Sequence, residues 1–191
     1  MSNFENMIVN DYIVPVNEGF IDVITRKPMK DRIRDASHDS DFIALHRHIQ
    51  KNPDAELESQ LAVRTPAHVF DKLSRSLNPK DRIIAAKYGS HESHTRLVDD
   101  IHPEVKKQLA LSTSKFHEYM ASDNASMVRN AVASTSTRHN VLHKLAGDID
   151  PRVASRADSQ AEKSLTSKQY ADVHARFVKQ HPLGYDGKND L

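Results

Sequence analysis

Twelve histidines among 191 residues are the first place to look for chemistry, because imidazole titrates near neutral pH and is the commonest metal ligand. His139 and His143 stand at an i, i+4 spacing, which lets one helix face chelate a transition metal. His91 and His94 are i, i+3, and His46 and His48 are close in sequence. No carboxylate is set beside these pairs by sequence and no HExxH pattern occurs, so solvated or capping histidines are the simpler assignment and no metal is expected. The absence of cysteine excludes thiolate nucleophiles, zinc–thiolate sites and disulfides. Five glycines, two of them near the C-terminus, form no phosphate-cradling loop, and no GxSxG elbow is present. Asp99 and Asp100 are adjacent, so on a helix they diverge by about 100° and cannot work as an acid–base pair. Neither a catalytic constellation nor a cofactor is expected.

Basic residues offer a second kind of site. Arg82, Lys106, Arg129 and Arg152 recur at spacings of 24, 23 and 23. Equal phase in a periodic fold puts them on one line, and a line of cations can track phosphates or an acidic partner. No aromatic residues interleave with them for base stacking. The competing assignment is an Asp–Arg ladder between successive units, pairing Asp123 with Arg129, Asp148 with Arg152, and Asp99 or Asp100 with Lys106. Such pairs set packing register more than they add stability.

The elements that must position these residues follow from the period itself. Taking Ala133 as origin, small residues recur upstream at Ala110, Ala86, Ala62 and Ala36 and downstream, degenerately, at Ala157. A second apolar phrase recurs as well. It runs Phe42, Leu45, Ile49; then Val69, Phe70, Leu73; then Leu97, Val98, Ile101; then Phe116, Tyr119, Met120; then Val141, Leu142, Leu145. Each group has the spacing of one helical face. Each unit therefore predicts a short helix, a polar turn, a second helix and another turn. Helices this short bury their apolar faces only by stacking on neighbours. Pro53, Pro79, Pro103 and Pro151 fall where a first helical turn tolerates proline. Asp123, Asp148 and Asp150 are placed to cap the first helices, and Ser112–Ser114 and Ser134–Thr137 to cap the second.

Residues 1–26 stand apart. Met7–Val16 and Gly19–Thr25 are β-branched and aromatic and predict two short strands about a turn, docked as a cap on the first unit. The periodic array is expected over 27–158, opening with a degenerate first helix around Ile33 and Ala36. A capping helix is expected over 159–181, capped by Ser167, and a flexible tail over 182–191. Asp81 interrupts the pattern where an apolar residue is expected, and Ala154 stands where an Arg is expected.

The phrase Val128-Arg129-x-x-Val132-Ala133, followed by Leu142-x-x-Leu145-Ala146-x-Asp148-x-Asp150-Pro151 and Val153, resembles the leucine-rich repeat variant. More loosely, it resembles short HEAT-like repeats. The likeness is close over Met127–Val153, moderate over Leu57–Ser126 and poor before Lys27. It implies an all-α fold, a right-handed α-solenoid of five to six two-helix units of ~24 residues, and no particular chemistry. The leucine-rich repeat variant alternates α with 3₁₀ helices; the sequence leaves open which type the short element takes.

A net charge of +1 gives no strong global field toward nucleic acid or membrane. No apolar run reaches the length of a membrane span, and Met1–Asn10 lacks the organisation of a signal peptide, so a cytoplasmic location is expected. The function expected is a non-catalytic scaffold with a protein partner, with Arg82, Lys106, Arg129 and Arg152 as candidate binding residues. The alternative is a nucleic-acid-binding HEAT-like protein using the same basic line.

Overall fold

The computed structural model describes residues 27–182 together with two short strands, β1 (Asn6–Val9) and β2 (Tyr12–Pro15). β1 and β2 pair antiparallel, with Asn6 opposite Pro15 and Val9 opposite Tyr12. Both strands therefore come from the stretch expected to form one. The second expected strand, over 19–25, and the expected tail, over 183–191, lie outside the described residues.

From residue 29 onward the described chain is helical, as an all-α fold requires. The chain packs into two compact units, Met1–Val69 and Phe70–Leu191. The division falls inside what the periodicity reads as one array.

The first unit holds α1 (Met29–Asp35), α2 (Asp39–Lys51), α3 (Ala55–Arg64) and the start of α4 (Ala67–Ser74). α3 packs on both α1 and α2. Ile33, Phe42, Leu45, Ile49 and Leu61 are buried there, each stabilising by roughly 1.5–3 kcal/mol relative to exposure. Asp54 caps α3 by accepting the Leu57 N–H at 3.0 Å. Arg64 donates to the carbonyls of Ile33 at 3.0 Å and Arg34 at 2.7 Å, meeting groups that the last turn of α1 cannot satisfy itself.

The second unit continues with α5 (Pro79–Tyr88), α6 (His91–Leu97), α7 (Pro103–Ser112), α8 (His117–Met120), α9 (Ser126–Thr135), α10 (His139–Ala146), α11 (Pro151–Ser164) and α12 (Ser167–Gln180). A 3₁₀ turn, Ser114–Phe116, leads into α8. α5, α7, α9 and α11 pack one on the next, and α10 and α12 pack against α11 and each other. Pro79, Pro103 and Pro151 open α5, α7 and α11, where a missing N–H costs nothing. Ala86, Ala110 and Ala133 are buried, and their small side chains let neighbouring helix backbones approach.

Among the described residues the short elements are α-helical, with 3₁₀ geometry confined to the turn before α8. Three expectations are corrected. Ile101 and Tyr119 are exposed rather than on a buried face, because α6 ends at Leu97 and α8 is a single turn. α11 runs on through Ser164, past the array boundary expected at 158 and into the polar stretch from Ser159; Ala157 and Ala161 give it a buried face that polarity alone hides. Thr166, not Ser167, caps α12, in a capping box with Gln169.

Candidate functional site

The site is built on the turns that enter α7, α9 and α11. Each turn contains an aspartate two residues before the N-cap: Asp100, Asp123 and Asp148. Each accepts the backbone N–H two residues on, from His102 at 2.9 Å, Ala125 at 2.9 Å and Asp150 at 2.8 Å. These are Asx turns rather than helix caps. Of the three aspartates expected to cap, only Asp150 does so, through the Arg152 N–H at 3.0 Å.

The fourth residue of the preceding helix reaches the other side of each aspartate. Arg82 Nε and Nη2 donate to Asp100 at 2.6 and 3.0 Å. Arg129 Nε and Nη2 donate to Asp148 at 2.6 and 2.9 Å. Nη1 of each arginine donates backwards, Arg82 to the carbonyls of Ser76 and Leu77 and Arg129 to those of Asp123 and Asn124. Each guanidinium thus ties the turn before its own helix to the turn before the next, with the bidentate geometry that only arginine supplies. Lys106 makes the equivalent contact to Asp123 at 2.5 Å, but a point charge has no fork with which to reach the carbonyls.

The electrostatics follow from the geometry. Burial alone pushes the Asp100 carboxyl up, but the Arg82 guanidinium and the His102 N–H outweigh it and hold the group below the usual carboxylate range. Hydrogen bonding to Asp100 and Asp148 raises Arg82 and Arg129 above the ordinary arginine value.

The expected basic line is therefore not a line of free cations. Arg82, Lys106 and Arg129 are largely buried in ion pairs. Their partners are the aspartates that follow them, whereas the sequence reading pairs Lys106 and Arg129 with earlier ones and assigns Arg82 none. Arg152 is exposed, reaches its neighbour Asp150, and stands out of phase. Ala154 occupies the equivalent place in α11 and is buried.

Asp81 completes the pattern. It sits buried in the slot that Val105, Val128 and Val153 fill in later helices. Ser76 holds the place of the turn aspartate, accepts the Asn78 N–H at 3.2 Å and donates its hydroxyl to Asp81 at 2.7 Å. The missing turn carboxylate and the extra core carboxylate thus compensate each other.

One residue of each turn points outward; sequence reasoning passed over Leu77 and Ile149 and read Ile101 as part of a helical face. Leu77, Ile101 and Ile149 are 99%, 86% and 87% exposed. Each follows Ser76 or the turn aspartate and precedes the helix-opening proline by two residues, with Asn124 in the same place before α9. Since α5, α7, α9 and α11 pack in series and their entry turns are joined by the ladder, these residues share one edge at roughly the 8–10 Å interval of packed helices. The signal was in the sequence, as an apolar residue alone in a polar turn recurring with the period.

The histidines divide by role. Burial holds His94 and His117 below the ordinary imidazole value. They hydrogen-bond the backbone of Ala86 and Ala110, serving carbonyls in the last turns of α5 and α7 that have no intrahelical partner. His46 is buried, and its Nε2 bonds Thr65 Oγ1 at 2.9 Å. Because that hydroxyl donates to the Leu61 carbonyl, the imidazole must donate from Nε2. Burial pushes His46 down to about 4. The candidate metal pair His139 and His143 lies on the outer side of α10 facing Asp172 of α12. Asp99 and Asp100 go separate ways, Asp99 to the Tyr119 hydroxyl and Asp100 to Arg82.

Between α1 and α3 is an open groove lined by Ile33, Val63 and the cations Lys30, Arg34 and Arg64. Lys30 engages Glu56 and Arg34 engages Asp31 and Asp35, so these charges are committed to neighbours. Among the described residues, no helix is long and apolar enough to cross a membrane. Comparison with family models, with characterised proteins and with solved structures finds no match.

Proposed function

We propose that the chain is a non-catalytic cytosolic scaffold that binds a protein partner, and that residues 70–182 form a stretch of right-handed α-solenoid of the kind that the leucine-rich repeat variant and short HEAT-like repeats suggest. The observation that carries this is the exposed row Leu77, Ile101 and Ile149. Isolated surface apolar residues need no explanation, but these recur at one structural position. They sit on turns held by buried ion pairs and Asx turns, so they are presented with little conformational entropy left to lose on binding. Folding gains nothing from leucine or isoleucine at so exposed a place, whereas a partner gains apolar contact area there.

The basic residues support the alternative less well. Nucleic-acid affinity draws on cations free to neutralise phosphates, and Arg82, Lys106 and Arg129 are spent on Asp100, Asp123 and Asp148.

The test is affinity capture from a lysate, with and without nuclease, comparing wild type with a Leu77→Ser/Ile101→Ser/Ile149→Ser variant. A nuclease-resistant protein partner captured by the wild type and lost by the variant, with unfolding unchanged, is the result expected. Equal capture by both overturns the assignment of the row. An association abolished by nuclease, with affinity falling steeply between low and moderate salt, returns the function to nucleic acid.

A further inference from the structure

We propose that the cleft between the N-terminal turns of α9 and α11 seats one side chain of the partner, an aromatic ring carrying a neutral hydrogen-bond donor, tyrosine first. This rests on the protein-partner reading above and names what that partner presents beside Ile149. The cleft has a volume of about 160 Å³ and is lined by Ser126, Met127 and Asn130 of α9 and by Asp150, Arg152 and Val153 at the start of α11. Ile149, 87% exposed, is the chain neighbour of Asp150. α9 and α11 pack on each other, and the Arg129–Asp148 pair ties the turn entering α11 to α9. The walls are therefore set before a partner arrives.

The lining selects the occupant's chemistry. Asn130 Oδ1 is buried without a hydrogen-bond partner among the described residues, and a buried acceptor lacking a donor is costly. The Asp150 carboxylate makes no such demand. It accepts from the Arg152 N–H, Nε and Nη2 and from the Ser126 hydroxyl, which fills its roughly four lone-pair positions. An incoming ammonium would find that carboxylate taken, the Arg152 cation beside it and the positive ends of two helices facing it. An incoming anion would meet the Asp150 carboxylate and the Asn130 carbonyl. A neutral donor meets neither objection.

One water needs about 10–15 Å³, so a water that satisfies Asn130 leaves most of the cleft unfilled. Met127 and Val153 supply apolar wall, and the Arg152 side chain is 65% exposed. A phenol uses all of these. Its ring packs on the Met127 thioether and the Arg152 guanidinium, and its hydroxyl donates to Asn130 Oδ1.

The experiment is NMR titration of the isotope-labelled full-length protein with p-cresol, toluene and n-butylamine separately, read at the Asn130 side-chain amide and the Met127 methyl group. Saturable shifts at both groups are expected with p-cresol. Toluene leaves Asn130 Oδ1 without a donor and should bind at least about fivefold more weakly; n-butylamine should also bind more weakly than p-cresol. Asn130→Ala, its fold checked by thermal unfolding, should bring p-cresol and toluene to equal affinity, and Met127→Ala should weaken both. Four results overturn the proposal: no p-cresol shifts in the wild type, which leaves a water only; equal affinity for p-cresol and toluene in the wild type; a preference for p-cresol that survives in Asn130→Ala; or wild-type affinity in Met127→Ala. Tighter binding of n-butylamine overturns it in favour of a lysine. The fragments involve no partner, so the cleft and the Leu77, Ile101 and Ile149 row fail separately: lost fragment binding leaves the lysate capture untouched, and the reverse.

Discussion

Replacing Arg129 by Met tests whether the ladder is structural. The Arg129 side chain is 13% exposed and that of Asp148 7%. The guanidinium makes two charge-assisted bonds to the carboxylate and two more bonds to the carbonyls of Asp123 and Asn124. Deleting it leaves a mostly buried carboxylate supported by the Asp150 N–H and strands two carbonyls. Removing one member of a buried pair costs about 3–5 kcal/mol, and the slight exposure of this pair places the expected loss near 3 kcal/mol. Asp148→Asn should cost a comparable amount by leaving the cation uncompensated. The double variant Arg129→Met/Asp148→Leu should recover part of the loss, since replacing both partners removes the stranded charge. Arg152→Met is the control: its side chain is 65% exposed, and the change should stay within about 0.5 kcal/mol. Urea denaturation followed by helical circular dichroism measures all four, with the midpoint moving and the slope constant. Equal costs for Arg129→Met and Arg152→Met would refute the reasoning.

Three other perturbations have defined outcomes. His46 is pushed down to about 4 from an ordinary value near 6.5. The unfolded chain therefore binds a proton that the folded chain refuses, and stability is full above pH 6.5 and falls as pH drops toward 4. The loss amounts to roughly 3 kcal/mol; urea unfolding at pH 7 and pH 4.5 should show a smaller pH dependence in His46→Leu. Ala110→Leu forces extra volume between packed helices and should cost about 1–3 kcal/mol by the same assay. Ser93 is buried with its hydroxyl unpartnered among the described residues, so Ser93→Ala should stabilise by about 1 kcal/mol; thermal unfolding reads the sign directly.

Much of the helical framework was legible in the sequence because it rests on local chemistry. Proline fixes its own φ and lacks a donor, which marks the starts of α5, α7 and α11. The faces Phe42–Leu45–Ile49 and Val141–Leu142–Leu145 follow from helical spacing, and all six residues are buried. Where a helix was shorter than its phrase, the spacing misled: Ile101 lies past the end of α6, and Tyr119 sits in the single turn of α8, which is too short to bury a full face. Polarity misled in the other direction at Ser159–Ser164, where alanines carry the buried face.

What the chain order could not supply was the identity of partners. Arg82, Lys106 and Arg129 were visible as a periodic set, but a period is the same whether a cation faces solvent, the aspartate before it or the aspartate after it. Packing each helix on the next decided for the following aspartate and turned three cations inward, leaving Leu77, Ile101 and Ile149 on the exposed edge. Asp172 was likewise invisible beside His139 and His143, because it lies some thirty residues away and only the docking of α12 on α10 closes that distance. Sequence by itself determined the helices and the small residues between them, since propensity, capping and periodicity act over a few residues. Tertiary structure alone decided which charges are paired and which side chains remain for a partner, since burial and pairing depend on neighbours that local chemistry does not choose.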